Sequence, residues 1–219
     1  MKLFVATRNQ HKLAELRALL GPVAGKFKIL TAGDLPDMPD VVEDAPTLEG
    51  NAVKKATETA AHAKKTLHGE TFVVIADDTG LEVDALDGAP GVWSARFAQF
   101  DGLSPRSKVQ SSKSVSYQDN NAKLLWLLAG VPPEKRTARF RCVIAIAQSD
   151  KPCVIVEGVC EGVIGHTERG ANGFGYDPLF IPLGYDKTFA EVTEVEKNRI
   201  SHRGKALQRA CEALARIPA

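Results

Sequence analysis

Short apolar runs separated by polar segments mark the predicted strands of this chain. The most informative run is Phe72 to Ala76, which is followed directly by the paired carboxylates Asp77 and Asp78. A run this apolar is typical of a strand buried on both faces. We expect the strand to end at the carboxylates, because loops at sheet ends can direct polar groups into a crevice. Other predicted strands are Lys2 to Ala6, Leu81 to Leu86, Thr137 to Ala147 and Pro152 to Ile164, with an apolar run at Leu179 to Ile181.

Apolar side chains at helical spacing predict helices between these strands. Asn9 is the expected N-cap of the first helix, and Gly21-Pro22 is its expected end. Thr47 and Ser201 are the expected N-caps of the second and last helices. The helices themselves are marked by Leu13 to Leu20, Ala52 to Ala63, Asn120 to Ala129 and Leu207 to Leu214, with a further start at Trp93 to Phe97.

Two connections are predicted from composition and strand length. The Ser-rich, basic stretch from Leu103 to Gln118 has no periodicity and is predicted to be a mobile surface loop. The two long strands after residue 136 are expected to be antiparallel neighbours joined across Gln148 to Lys151.

Composition and charge narrow the class of protein. The chain has 219 residues, enough for one large domain or two joined lobes with a sizeable core. Its formal net charge of +1 gives no electrostatic reason to expect a nucleic-acid or membrane partner. No apolar run approaches the roughly 20 residues of a membrane helix, and the start MKLFVATRNQHK turns polar too soon for a signal peptide. The four cysteines form no CxxC pair, so we expect buried thiols in a reducing cytoplasm.

Three separated stretches carry groups that suit a nucleotide. The turn at Thr7 to Lys12 combines backbone N–H groups, a helix dipole and basic side chains, which suit a phosphate. Glu43 and the Asp77-Asp78 pair offer oxygen ligands, and adjacent carboxylates repel unless a proton or cation separates them. The stretches 174–177 and 197–203 offer an aromatic ring and hydrogen-bonding groups for a base. Each stretch alone also fits an ordinary cap, turn or solvated face, whereas together they favour a metal-dependent nucleoside-triphosphate enzyme.

Well-known short motifs do not account for the chain. Gly21 to Lys26 has three residues between its glycines instead of four, lacks the Ser or Thr and follows a helix, so it is not a P-loop. The GxG at Gly173 does not open a helix, which excludes a Rossmann fingerprint. The Asp-Thr-Gly at 78–80 resembles an aspartic-protease loop, but its neighbours Asp77 and Leu81 are out of pattern.

Longer motifs carry a resemblance to a known family. The segments ATRNQHK, EDAPTLEGNA, IADDTGLEVDALDGAPGVWSAR, GFGYDPLF and EKNRISHRGKAL occur in this order between Lys2 and about Leu214. In sequence and spacing they resemble the inosine triphosphate pyrophosphatase family of house-cleaning nucleotide hydrolases. The resemblance implies a mixed α/β fold with an elongated central sheet flanked by helices. It implies a single domain over residues 1–219, in two lobes with a nucleotide cleft between them. It also implies a homodimer that requires Mg²⁺ and hydrolyses ITP, dITP and XTP to the monophosphate and pyrophosphate.

The resemblance further implies a role for each motif residue. Asp78 would be the catalytic carboxylate and would bind Mg²⁺ together with Glu43, with Asp77 in support. Thr79 would contact the nucleotide through its hydroxyl, where the family often has serine. The triphosphate would be held by Thr7, Arg8, Asn9, Gln10, His11 and Lys12, with Lys12 as direct charge partner and Lys55 as a second. The base would stack on Phe174, be lined by Gly175, Tyr176 and Asp177, and be contacted at its 6-oxo group by Lys197, His202 and Arg203.

The chain departs from the family pattern at two places. Leu48 replaces a usual phenylalanine, which changes packing rather than chemistry, and the stretch from Leu103 to Gln118 is longer than the usual linker.

Two alternative functions remain. One alternative is a pyrimidine-nucleotide pyrophosphatase of the related septum-formation type. The other is a nucleotide-binding module without catalytic activity. A panel of nucleotide substrates distinguishes all three.

Overall fold

The chain folds around a mixed β-sheet, and the computed structural model describes residues 1–23, 25–100, 115–148 and 151–218. In that part of the chain the sheet has six strands in the order β2-β1-β3-β4-β5-β6. β1 pairs in parallel with β2 and β3, whereas β5 and β6 pair antiparallel. The strands are β1 (Lys2–Val5), β2 (Lys28–Thr31), β3 (Phe72–Val83), β4 (Thr137–Gln148), β5 (Val154–Ile164) and β6 (Phe180–Pro182). The predicted fold class, a mixed α/β protein, is confirmed.

Helices alternate with these strands, and the predicted N-caps are confirmed. The helices are α1 (Gln10–Leu19), α2 (Leu48–Thr66), α3 (Tyr117–Leu127), α4 (Glu194–Ile200) and α5 (His202–Ala215), with short 3₁₀ helices at Gly21–Val23, Ala32–Asp34, Asp84–Leu86, Gly91–Gln99 and Pro133–Lys135. The Asn9 side chain accepts from two backbone N–H groups of α1, and Thr47 and Ser201 each accept from the third residue of their helices. Such side-chain oxygens satisfy N–H groups that have no partner inside the helix. None of the helices in the described ranges is long and apolar enough to cross a membrane.

The central strand is longer than predicted. β3 is one strand of 12 residues, so the expected strand end at Asp77 and the separate strand from Leu81 to Leu86 are both wrong. Asp77 and Asp78 are buried inside this strand. Turn-forming residues can occupy a strand interior when their polar groups find partners in the fold. Both carboxylates have such partners.

The predicted loop from Leu103 to Gln118 falls mostly on residues 101–114, which lie outside the described residues. Its last two residues, Tyr117 and Gln118, are helical, and the loop prediction is wrong there. Ser116 and Asp119 form a capping box, with each side chain accepting from the other's backbone N–H. This reciprocal cap starts α3 three residues before Asn120, the predicted start. β4 and β5 are neighbours as predicted, and residues 149–150 of their expected connection also lie outside the described part.

Two compact units make up the chain, and each has its own hydrophobic core. Unit 1 comprises Met1–Asp78, Cys142–Val159 and Ser201–Ala219, and unit 2 comprises Thr79–Arg141 and Cys160–Ile200. The core of unit 1 includes Leu3, Leu16, Val73, Ile144, Leu207 and Leu214. The core of unit 2 includes Leu81, Phe97, Leu124, Phe140, Phe180 and Phe189. Because of these boundaries, β3, β4 and β5 each begin in one unit and end in the other.

Candidate active site

Unit 1 holds a cluster of carboxylates and cations centred on the end of its β3 segment. Successive side chains of a strand point to opposite faces, so Asp77 and Asp78 meet different partners although they are adjacent in sequence. Asp77 contacts basic residues of α1 and α5, and Asp78 contacts polar residues of α2. The two carboxylates therefore have different electrostatic environments.

Asp77 is almost completely buried in an ion-pair network. Its Oδ2 lies 2.8 Å from Lys12 Nζ and 3.7 Å from Arg203 Nε. A second carboxylate, Glu15 on α1, pairs with Nη1 of Arg203. Burial alone would raise the pKa of Asp77, but the surrounding cations, Lys12 first, outweigh it and hold that pKa well below its usual range. Asp77 is therefore an ionised anchor that holds the Lys12 ammonium group in place.

Asp78 has a different environment on the other face of β3. Its Oδ2 accepts a hydrogen bond of 3.1 Å from Asn51 Nδ2, and its Oδ1 lies 3.4 Å from Lys55 Nζ. Burial raises the pKa of Asp78 above its ordinary value, despite the opposing charges of Lys55 and Lys12. Asp78 is thus the less compensated of the two aspartates.

Glu43 shares a cation with Asp78. Lys55 Nζ lies 2.6 Å from Glu43 Oε1, and the same ammonium group faces Asp78 Oδ1. Burial would lower the pKa of Lys55, but the negative charges of Asp78, Asp77 and Glu43 raise it overall. Lys55 is therefore charged, and the two predicted metal ligands direct oxygens at one cationic position.

This donor set suits Mg²⁺. No group of three or more His, Cys, Asp or Glu side chains that could hold a metal occurs among the described residues. Mg²⁺ does not need such a cage, because it usually takes one or two carboxylates together with substrate phosphates and waters. Glu43 and Asp78 supply two carboxylates aimed at a shared cation, so the residues present fit Mg²⁺ and do not fit a closed structural zinc site.

The predicted phosphate-binding turn contributes mainly Lys12 to this cluster. Asn9 Oδ1 accepts from the backbone N–H groups of His11 and Lys12, and Thr7 Oγ1 accepts from the N–H of Asn9. These bonds order the turn at the start of α1. The other basic residue, Arg8, is directed elsewhere: it pairs with Asp40 at 2.8 Å and donates to the carbonyl of Met38. The Gln10 and His11 side chains are exposed.

His202 and Arg203 are buried at the start of α5 in unit 1. A close approach of β5 to this turn requires glycine, since a Cβ at Gly158 would lie 2.1 Å from the His202 carbonyl oxygen. Arg203 is engaged with Glu15 and Asp77. The structure thus brings Arg203 together with Lys12, whereas the sequence predicted that Arg203 contacts the base.

Unit 2 holds the predicted base-binding residues other than His202 and Arg203. Asp177 Oδ2 accepts from the Phe174 backbone N–H at 2.8 Å and from Lys197 Nζ at 2.7 Å. The Lys197 ammonium group also lies 5.0 Å from the centre of the Phe174 ring, within range of a cation–π interaction. A Cβ at Gly173 would lie 2.1 Å from Asp177 Oδ2, and its φ of +73° is in the left-handed region, so this turn requires glycine. Asp177 thereby ties the aromatic ring and the lysine into one cluster.

The remaining predicted residues of this region are divided between the loop and the core. Tyr176 is buried and its hydroxyl donates to the Ser94 carbonyl oxygen at 2.9 Å. Burial raises the pKa of this phenol far above its ordinary value. Tyr176 is therefore a packing residue that anchors the loop. Gly175 has a φ of +65°, and Thr79 is half-buried in β3.

Comparisons with known proteins agree along nearly the whole chain. The model of the Ham1 family matches residues 3–213. The chain belongs to the Ham1 family. A relative from Desulforamulus reducens named dITP/XTP pyrophosphatase is 48% identical over 217 residues, which are 99% of this chain and 97% of the relative. A relative of the same name from Shouchella clausii is 42% identical and covers 94% of this chain and 92% of its own.

Solved Ham1 structures share the fold. The HAM1 protein from Coxiella burnetii has a TM-score of 0.82 and 34% identity, covering 99% of this chain and 100% of its own. A structure from Mycobacterium abscessus described as nucleoside-triphosphatase / dITP/XTP pyrophosphatase has a TM-score of 0.72 and 37% identity, covering 98% and 97%. The Ham1 match therefore extends over both units.

Several residues of the clusters in the two units were missed in the sequence. Glu15 and Asn51 sit at ordinary polar positions of helices, and nothing in their spacing indicates their buried partners. In unit 2, Asn121 on α3 donates to Glu168 Oε1 at 2.7 Å and to the Gly175 carbonyl at 3.2 Å. Tyr117, four residues earlier on the same helix face, has its ring 6.0 Å from that of Phe174. A capping box ending at Asp119 was the available signal that α3 starts early.

Proposed function

We propose that this protein is a nucleoside triphosphate pyrophosphohydrolase that acts on ITP, dITP and XTP and releases the monophosphate and pyrophosphate. The observation that carries the proposal is the cluster in unit 1, where Asp78 and Glu43 share one cationic position and Lys12 is held by Asp77. The names of the close Ham1 relatives, dITP/XTP pyrophosphatase, support the same activity.

Glu43 and Asp78 would hold the metal ion that the reaction uses. Bound Mg²⁺ supplies charge neutralisation and polarisation of phosphoryl oxygens. The carboxylate of Asp78 orients a water molecule and accepts its proton as the water oxygen bonds to the α-phosphorus. The bond from this phosphorus to the bridging oxygen breaks, and its electron pair leaves with pyrophosphate. Lys12 places its ammonium charge beside that leaving group.

The base would be selected in unit 2. Phe174 offers a ring for stacking. Asp177 holds the ammonium group of Lys197, which carries N–H donors, over the same ring. Hypoxanthine and xanthine carry a 6-oxo acceptor, whereas adenine carries a donor amine at the same position. A site built from donors rejects the analogue that lacks the acceptor by about 10⁴–10⁵-fold. His202 and Arg203 are the further donors that the family resemblance assigns to the base.

A requirement for Mg²⁺ is supported by the two-carboxylate donor set. A cytoplasmic location is supported by four cysteines that are all free thiols. A homodimer without nucleic-acid partners is proposed from the family resemblance and the net charge of +1.

Pyrophosphate release from a nucleotide panel tests the function. ITP, XTP, GTP, ATP and dTTP are incubated with the protein, with Mg²⁺ or with a chelator, and pyrophosphate is measured colorimetrically. We expect release from ITP and XTP only when Mg²⁺ is present. Preference for dTTP would identify a pyrimidine pyrophosphatase instead. Absence of release from every nucleotide would leave a binding module and refute the enzyme.

A further inference from the structure

We propose that Asn51 is a positioning residue that fixes the spacing between the two metal-binding carboxylates, an inference that rests on the proposed function. Asn51 lies on α2 and is 1% exposed. Its Oδ1 accepts from the Ala45 backbone N–H at 2.9 Å, and its Nδ2 donates to Asp78 Oδ2 at 3.1 Å. One side chain thus joins the segment that carries Glu43 to the carboxylate of Asp78.

The amide of Asn51 satisfies both neighbours at once. The Ala45 N–H needs an acceptor, and the Asp78 carboxylate needs a donor, so the amide of Asn51 has a single favourable orientation. Turning it over would place oxygen against oxygen and nitrogen against nitrogen. Aspartate would present two acceptors and repel Asp78. The chemistry of the two partners therefore fixes the Asn51 side chain.

The bond from Asn51 also sets the orientation of the Asp78 carboxylate relative to the cation position. Because Nδ2 of Asn51 engages Oδ2, the other oxygen, Oδ1, is directed at Lys55 Nζ. Lys55 lies four residues after Asn51, on the same face of α2, and it reaches Glu43 Oε1 at 2.6 Å. Asn51 therefore sets both the orientation of Asp78 and the position of the Glu43 segment.

Removal of the amide should weaken metal binding and turnover together. Substitution of residues that orient metal ligands typically costs about 10–100-fold in metal affinity or activity. For Asn51→Leu we expect Mn²⁺ affinity and kcat each to fall by about that factor. KM for ITP at saturating metal should stay within about threefold, because Lys12 and the base residues are untouched.

The metal readout is the uptake of Mn²⁺, followed by the electron paramagnetic resonance signal of the free ion. It is measured without nucleotide and with the α,β-methylene analogue of ITP, so it does not depend on turnover. The matched control is Asn120→Leu in unit 2. Asn120 is equally buried, accepts from the Ala98 N–H at 2.8 Å and donates to the Ala95 carbonyl at 3.2 Å. Its variant should lose comparable stability and retain wild-type Mn²⁺ affinity.

The outcomes separate this proposal from the function on which it rests. Equal Mn²⁺ affinity in Asn51→Leu and Asn120→Leu would overturn the positioning role, as would a wild-type protein that takes up no Mn²⁺ in either condition. Wild-type uptake without pyrophosphate release would count against the proposed function alone. If Asn51→Leu fails to fold, Asn51→Ala removes the same two bonds and leaves space for water, and the same outcomes apply to it.

Discussion

At the scale of single residues, adjacent aspartates have opposite relations to their surroundings. Asp77 is buried beside two cations and its pKa is held low, whereas burial dominates at Asp78 and raises its pKa. Removing one partner of a buried ion pair is destabilising because it leaves the other charge uncompensated, whereas removing an under-compensated buried charge relieves a desolvation cost. The two residues should therefore respond differently to the same substitution.

Asp78→Asn should strongly reduce turnover and keep the fold, with Asp77→Asn as the matched comparison. Loss of a general base typically lowers kcat by about 10²–10⁴-fold, and removing the poorly compensated charge should leave the melting temperature unchanged or higher. Asp77→Asn leaves Lys12 and Arg203 without their shared counter-charge, and we expect unfolding to become easier by about 3 kcal/mol. Steady-state kinetics and urea unfolding measure both effects. Near wild-type kcat in Asp78→Asn would refute its catalytic role.

At the scale of elements, the loop that carries Phe174 depends on a single glycine. Gly173 adopts a φ of +73° and approaches the Asp177 carboxylate so closely that an added methyl group would have to displace it. That carboxylate holds both the Phe174 backbone and Lys197. Displacing Asp177 should therefore disturb the ring and the ammonium group together.

Gly173→Ala should raise KM for ITP by about tenfold or more, equivalent to losing at least about 1.4 kcal/mol of binding. The control is Gly184→Ala, also in unit 2, where φ is +83° and no atom lies within 4 Å of the added methyl group. Both variants incur the backbone strain of about 1–2 kcal/mol, but only the first encounters Asp177. Kinetics with ITP compare them, and an equal KM in both variants would show that the loop tolerates the clash.

The same elements show how far the sequence can predict the structure. The caps at Asn9, Thr47 and Ser201 could be predicted because a cap is decided by residues within one turn. The continuity of β3 could not, because Asp77 and Asp78 favour a turn locally and are stabilised in the strand by distant partners. Glu15 and Asn51 were missed for the same reason: their roles arise from contacts that the fold creates. The motif residues and a division into two lobes were predicted through the family resemblance, but the position of Arg203 beside Asp77 in unit 1 was not.

At the scale of the whole molecule, three strands belong to both units. β3, β4 and β5 each begin in one unit and end in the other. Unfolding of these strands in one unit should therefore disrupt the parts of the same strands that lie in the other unit. Each unit nevertheless has its own core. We therefore expect one cooperative unfolding transition for the protein.

Leu207→Ala tests this cooperativity, because Leu207 lies in the unit 1 core whereas the two tryptophans, Trp93 and Trp126, belong to unit 2. Losing a buried leucine costs about 2–5 kcal/mol. The unfolding midpoint followed by tryptophan fluorescence should fall by the same amount as the midpoint followed by far-UV circular dichroism. Leu124→Ala in the unit 2 core is the matched control and should shift both midpoints equally. An unchanged fluorescence midpoint in Leu207→Ala would mean that the units unfold independently.

The alternation of side chains along β3 gives Asp77 and Asp78 different partners, so one aspartate is not a substitute for the other. Asp77 lies one residue from Asp78, yet its carboxylate is directed at Lys12 and Arg203, whereas that of Asp78 is directed at Asn51 and Lys55. A slip of the strand by one residue would exchange the faces of every side chain in it. A lineage that lost Asp78 could therefore not replace it with Asp77 without giving up the counter-charge of Lys12 and Arg203.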